Sequence, residues 1–395
     1  MLGAILLRRT TRAVFRAFDY GSCRQCSISS TVFDYDGRGL TCIEYIEHMR
    51  AMVSHGGAAG VGRLVLEERP DPVPATGEVL VRVTVCGVCR TDLDVVDGRL
   101  ASAHNPIVPG HQVVGHIADC GAGVTGVREG QRVGVAWIAS ACGVCRWCIA
   151  GDENLCPDFV STGCGRDGGY AELLTVPAAF VHPIDDALTD LDAAPLLCAG
   201  AIGWRALRLA DIRDGDALGL TGFGASAHLV LQLVRKRFPQ SPVYVFARQP
   251  EERRFALELG ATWVGASLER PPTPLTAIID TTPAWTPVVD ALDHLAPGGR
   301  LVINAISKMR ADQDALMRLD YQRHLWMERE IRRLFIEELT SGAPAELDQL
   351  SQRAAGLGLD FREPARAVQI ARLEVVQHVE RVDEELLVRR RDVAR

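Results

Sequence analysis

The sequence predicts an α/β protein in two parts, a mostly-β half followed by a doubly wound parallel sheet. Three observations carry that prediction. From residue 61 to about 182, stretches such as GEVLVRVTVCGVC and EGQRVGVAWI alternate valines with polar residues between glycine turns. That period of two marks half-buried strands. From about residue 200 strands and helices alternate, beginning with DALGLTGFGASAHLVLQLVRKRF, a strand, a glycine turn and a helix. PVYVFAR, the helical EERRFALELGA, TAIIDTT and GRLVINA continue the alternation. Such βαβ order builds a parallel sheet with helices on both faces. The third observation is a loop with four cysteines, CGVCRWCIAGDENLC, inside the β-rich half.

The bulk numbers narrow the function classes. A chain of 395 residues has room for two or three domains, and 47% hydrophobic with 24% charged residues is ordinary for a globular protein. A net charge of −7 without a long basic run speaks against nucleic-acid or anionic-membrane partners. No run of about 18 apolar residues offers a membrane span. Twelve cysteines clustered at CxxC spacing, with no clean secretory signal, favour metal sites over disulfides.

The beginning differs in texture. MLGAILLRRTTRAVFRAF has four arginines and no acid before Asp19, as an organelle transit peptide would. The plainer expectation is an upstream extension, with Met49 or Met52 the true start and residues 1–55 lacking ordered structure. Cys23, Cys26 and Cys42 fall in this segment and are assigned no role.

Cys142, Cys145, Cys148 and Cys156 follow the spacing C-x2-C-x2-C-x7-C, which brings four thiolates within reach of one tetrahedral ion. Four sulfur ligands with no vacancy describe a closed, structural zinc site spanning residues 142–156. A redox dithiol and a nucleic-acid-binding zinc ribbon are the alternatives, the second lacking a basic face. Cys89, His111 and Cys198 are three further candidates. Two thiolates and one imidazole would leave a fourth position open, the catalytic arrangement for zinc. Singly, each is equally a buried small residue or a turn histidine, and spacing alone cannot join them.

From about residue 60 to 336 the chain resembles the zinc-dependent medium-chain alcohol dehydrogenases. GEVLVRV…CGVCRTDL, PIVPGHQVVG, the cysteine loop with GDENLC, DGGYAEL, AAPLLCAGAIGWRAL and GFGASAHL occur in that family's order. The resemblance implies a GroES-like catalytic domain over residues 56–200 and a Rossmann cofactor domain over 201–336. It implies one catalytic zinc on Cys89, His111 and Cys198 and one structural zinc on the cysteine loop. Zinc acts there as a Lewis acid on an alcohol oxygen, and a nicotinamide takes up or supplies the hydride.

The same resemblance assigns smaller roles. Thr91 matches the hydroxyl that takes the alcohol proton, and Asp92 the carboxylate that orients the zinc histidine. Trp137 aligns with an aromatic that narrows the substrate pocket, although a core tryptophan fits as well. Gln112 stands where many relatives have glutamate, so it offers zinc no anionic oxygen. Asp94 stands where the family often has the histidine at the outer end of a proton relay, and is a weaker base.

At the cofactor end TGFGASA reads G-x-G-x-x-A from Gly222 through Phe223, Gly224 and Ala225 to Ala227. Following a strand and opening a helix, it suits a pyrophosphate at a helix N-terminus. The second strand ends at Ala247 and Arg248 rather than at a carboxylate, which leans towards NADP while leaving NAD open.

Residues 337–395 lack the family's usual return to the catalytic domain and read as a diverged C-terminal segment. The function expected is interconversion of primary or secondary alcohols with aldehydes or ketones, using zinc and NAD or NADP. The rivals are a zinc-free enone or quinone reductase on the same scaffold and a non-catalytic zinc-binding protein with a degraded site. The expected setting is cytoplasmic, as a homodimer or homotetramer in which RLVINAI pairs across a dimer axis.

Overall fold

A computed structural model describes residues 48–56 and 64–334. It opens with β1 (His48–Ser54), antiparallel to β2 (Leu64–Pro70) in a register running from His48↔Pro70 to Ser54↔Leu64. Met49, Ala51 and Val53 alternate inward and are buried, as a one-sided strand requires. Residues 48–54 thus form a strand inside the segment expected to be an unstructured leader up to residue 55. Seven residues of alternating apolarity suffice for a strand once a partner and a core face exist. The rest of that leader lies outside the described residues.

The β-rich half continues with β3 (Glu78–Gly87), helix α1 (Arg90–Val96), β4 (Gln112–Cys120), β5 (Arg132–Val135), β6 (Ile138–Ser140), β7 (Val160–Ser161), β8 (Leu173–Pro177) and β9 (Val181–Pro183). Five of these form an antiparallel sheet in the order β8-β3-β4-β5-β9, and β6 pairs with β7 beside it. Valines 79, 81, 113, 133 and 135 fill its inner face with Ile117 and Trp137. Burying such side chains contributes about 1.5–3 kcal/mol each before entropy is counted.

Helix α2 (Ala199–Ala210) leads into β10 (Leu218–Thr221), α3 (Ala225–Arg237), β11 (Val243–Phe246), α4 (Pro250–Glu258), β12 (Trp263–Gly265), β13 (Leu275–Asp280), α5 (Thr286–Leu292), β14 (Leu295–Ile303) and β15 (Glu330–Arg333). The six strands lie in the order β12-β11-β10-β13-β14-β15, every neighbouring pair parallel. This is the doubly wound sheet expected, with the winding reversing between β10 and β13. Every residue of β10 and β11 is buried, which explains their unbroken apolar text.

Two expectations change. The boundary drawn at residue 200 falls inside the first turn of α2, which packs on α3 where Gly203 admits Val230 (an added Cβ would lie 2.9 Å from its Cγ2). The RLVINAI strand, β14, is not an open edge for a dimer partner. It is flanked by β13 and β15, and among the described residues β15 forms the edge, with all four of its residues exposed. Residues 337–395 lie outside the described residues.

Candidate active site

Helix α1 begins at Cys89 because two side chains satisfy its first backbone donors. The Thr91 N–H donates to Cys89 Sγ at 3.4 Å, and the Cys89 N–H donates to Asp92 Oδ2 at 2.8 Å. This reciprocal cap fixes Cys89 at a helix N-terminus, where a thiolate is favoured. His111 precedes β4, and Cys198 forms the N-cap of α2. Three segments, 109 residues apart at the extremes, thus deliver sulfur and nitrogen donor atoms to one place.

The Sγ atoms of Cys89 and Cys198 and a ring nitrogen of His111 all lie within 4.8 Å of one another. His111 Nε2 is 3.4 Å from Cys198 Sγ, and the two sulfurs are 3.8 Å apart. Behind the ring, His111 Nδ1 is 2.9 Å from Asp92 Oδ1, with both side chains buried. Tyr170 donates its hydroxyl to Asp92 Oδ2 at 3.1 Å. Trp137 packs edge-on to the imidazole, ring centroids 4.9 Å apart at 89°.

Electrostatics favour a cation here. The Cys198 thiol, against the effect of burial and with help from His111, holds Cys89 well below the ordinary thiol range. Burial resists charging His111, yet the charge and hydrogen bond of Asp92 outweigh it and hold the imidazole well above its usual value. Burial and then the Asp92 charge push the Tyr170 phenol up, so it stays a donor. Two sulfurs and one nitrogen facing a common point fit a zinc that keeps one position open.

The second cluster is the cysteine loop. The sulfurs of Cys142, Cys145, Cys148 and Cys156 also lie within 4.8 Å of one another, with Cys145 and Cys148 3.5 Å apart. The backbone N–H groups of Val144 and Cys145 pull the Cys142 thiol down to about 7, towards the thiolate a metal needs. Four sulfur donors of this kind suit a closed tetrahedral site with no position left over for substrate. Arg205 of α2 reaches Asp152 of the loop at 3.7 Å, joining this lobe to the helix that Cys198 caps.

Beyond β10, Gly222 turns the chain at φ +76°, a left-handed conformation that side chains disfavour. Gly224 caps the thirteen-residue α3, and a Cβ there would meet nothing within 4 Å. An open backbone at a helix N-terminus fits a pyrophosphate. Phe223 is buried edge-on to Phe255, Ala225 opens α3, and Ala227 in the helix's first turn is fully buried. Arg248 is exposed just past β11.

Residues 75–186 match the alcohol dehydrogenase GroES-like domain family. The chain is 43% identical over 266 residues to the "Probable alcohol dehydrogenase AdhA" of Mycobacterium tuberculosis, covering 66% of this chain and 75% of that protein. An alcohol dehydrogenase of Geobacillus stearothermophilus is 39% identical over 173 residues, 44% of this chain and 51% of that one. Among solved structures, the cobalt- and zinc-bound thermostable alcohol dehydrogenase of Pyrobaculum aerophilum superposes with a TM-score of 0.67 at 26% identity, covering 78% of this chain and 89% of that one. This chain belongs to the zinc-type medium-chain alcohol dehydrogenase family.

The dehydrogenase departs from expectation at Asp94. Its carboxylate accepts from Arg99 Nε at 2.7 Å and lies 3.9 Å from Arg90, so it is engaged by arginines rather than grouped with Cys89, His111 and Cys198. Held in that way by Arg99, the carboxylate has a structural partner of its own, which weakens the relay assignment. Thr91 is buried in the first turn of α1, adjoining the ligand cluster through Cys89. Gln112 is buried at the start of β4, folded over Gly87, where a Cβ would lie 3.2 Å from its Cβ and Cδ. Tyr170 was missed by sequence reasoning although it sits in the DGGYAEL stretch. A tyrosine in the bend before β8 gives no sign that its hydroxyl will reach a carboxylate 78 residues away.

Proposed function

We propose that this NAD(P)-dependent alcohol dehydrogenase holds its catalytic zinc on Cys89, His111 and Cys198 and its structural zinc on Cys142, Cys145, Cys148 and Cys156. The observation that carries the assignment is the meeting of three ligand atoms within 4.8 Å in front of the buried Asp92–His111 pair. When bound, zinc supplies Lewis acidity to an alcohol or carbonyl oxygen, and the nicotinamide supplies the hydride donor or acceptor. The chain's own residues do the rest. Asp92 accepts the Nδ1 proton of His111 and so turns Nε2 towards the ligand sulfurs, while Tyr170 and the Cys89 N–H hold Asp92 still. Trp137 walls the imidazole and keeps water from that side. Thr91 is assigned the substrate proton, and Asp94, engaged by Arg99, the fastening of α1.

The substrates proposed are small primary or secondary alcohols and the matching aldehydes or ketones. Gly222, Phe223, Gly224, Ala225 and Ala227 are assigned the pyrophosphate turn. An exposed arginine past β11, following Ala247 at the strand end where a carboxylate would grip the NAD ribose, supports a preference for NADP through Arg248. The two clusters need reduced thiolates, which supports a cytoplasmic setting. Among the described residues no helix is long and apolar enough to cross a membrane. The exposed strand edge of β15 supports self-association as a homodimer or homotetramer. A panel of alcohols and aldehydes run with each nicotinamide, with zinc measured on the same sample, tests the proposal. Two zinc ions per chain with turnover are expected; a single zinc with reduction of enones or quinones only would overturn it.

A further inference from the structure

Lys236 and Lys308 are the only lysines in a chain with 43 Lys plus Arg. Lys308 lies just past β14 and is almost fully buried, 7% exposed against 0% for its partner Asp280. Its ammonium donates to Asp280 Oδ2, to the Thr282 carbonyl at 2.6 Å and to the Ala284 carbonyl at 3.0 Å. Three acceptors around one point suit a compact tetrahedral ammonium; a planar guanidinium spreads its donors too widely to meet them all. That geometry accounts for a lysine where the chain elsewhere uses arginine.

Asp280 is the last residue of β13 and pairs in register with Thr221, the last residue of β10. Its other oxygen accepts from Thr221 Oγ1 at 2.7 Å, Thr282 Oγ1 at 2.8 Å and the Thr282 N–H at 3.3 Å. These two strands flank the point where the sheet reverses its winding, the crevice that dinucleotides occupy in such folds. The glycine turn rests directly on the turn that Lys308 holds: a Cβ on Gly222 would lie 3.0 Å from Thr281 Oγ1 and Thr282 Cγ2. Thr281 in turn donates both its N–H and its hydroxyl to the Thr221 carbonyl.

We propose that the buried Lys308–Asp280 pair is a positioning device for the dinucleotide, locking residues 281–285 beneath the glycine turn at Gly222. The proposal rests on the reading of this crevice as the NAD(P) site. Lys308 is not itself a phosphate ligand, because its three protons already point at protein acceptors. Without it, the Thr282 and Ala284 carbonyls lose the donor that ties them together and the turn loosens, and where Asp280 remains it is also left as a buried uncompensated charge.

The test uses the full-length enzyme as wild type, Lys308→Met, Lys308→Arg and the double variant Asp280→Asn/Lys308→Met, which removes both charges together. Fluorescence titration with NADH and with NADPH gives Kd without turnover, and kcat, alcohol KM, zinc content and Tm are measured alongside. The expected result is a dinucleotide Kd raised by about fivefold or more in every folded variant, arginine giving no rescue. Zinc content, alcohol KM and kcat at saturating cofactor stay near wild type. A lowered Tm with Kd changed by less than that makes the pair a plain stabilising contact and overturns the proposal. If Lys308→Met does not fold, the double variant decides on the same criterion, and failure of both to fold overturns it too. Wild type that binds neither dinucleotide refutes the reading of the crevice, and the proposal with it.

Discussion

His111 presents Nδ1 to Asp92 Oδ1 at 2.9 Å with both side chains buried, and Asp92 is held in turn by the Cys89 N–H and the Tyr170 hydroxyl. A carboxylate so fixed sets the tautomer of the imidazole and therefore which nitrogen faces the ligand sulfurs. Asp92→Asn keeps the shape but removes the charge, and should weaken metal binding at this cluster by about 10–100-fold. Dialysis against graded chelator checks it: one zinc per chain leaves early while the cysteine-loop zinc stays. Equal retention of both ions would remove Asp92 from the metal site.

The cysteine loop should act on stability rather than on cofactor binding. Cys145→Ser removes one of four sulfurs that lie within 4.8 Å of one another, and the loop is expected to lose its ion. A cost of about 2 kcal/mol would lower Tm by roughly 5 °C. Calorimetry with elemental analysis checks both, and NADPH affinity should stay close to wild type.

Two glycines of one turn should respond differently. Gly222→Ala places a side chain at φ +76° and within 3.0 Å of Thr281 and Thr282, so it should destabilise the protein by about 1–2 kcal/mol. Gly224→Val meets no protein atom near its Cβ and should melt close to wild type. Its dinucleotide Kd should nevertheless rise about tenfold or more, roughly 1.4 kcal/mol, because the new side chain occupies the pyrophosphate's approach. Thermal melts and NADPH titrations on both variants separate the effects.

Acid should act through His182. Burial in β9 lowers its pKa from 6.5 to about 4, so the folded protein keeps it neutral where the unfolded chain protonates. The folded value is the lower one, so stability from this group is unaffected above pH 6.5 and is lost as pH falls from 6.5 towards 4. The loss is roughly 3 kcal/mol at pH 4. Urea unfolding of wild type and His182→Gln between pH 4 and 8 measures it. The variant's pH slope should be smaller by nearly one proton, and identical slopes would rule the residue out.

Much of the architecture was legible because its signals are local. The cysteine loop declares itself by spacing within fifteen residues, and the turn at Gly222 by glycines between a strand and a helix. The parallel sheet follows from strands apolar enough for burial on both faces. The strand at His48–Ser54 was obscured by the unusual text before it, since seven alternating residues do not identify a strand without their partner β2. The edge role of β15 depends on pairing with β14, which no property of EIRR reveals.

The chemical inventory can be read from the residues alone: four clustered sulfurs, a glycine turn, and two cysteines with a histidine whose family resemblance points to one ion. Short spacings act through chain geometry alone, so they can be read in a line of text. Folding is what brings Cys89, His111 and Cys198 together in front of Asp92, sets Asp94 against Arg99 and carries Lys308 to Asp280. Those contacts join residues brought together by helix capping, strand register and core packing. Their energies depend on burial and on distances of a few ångströms, quantities that come into being only when the chain has folded.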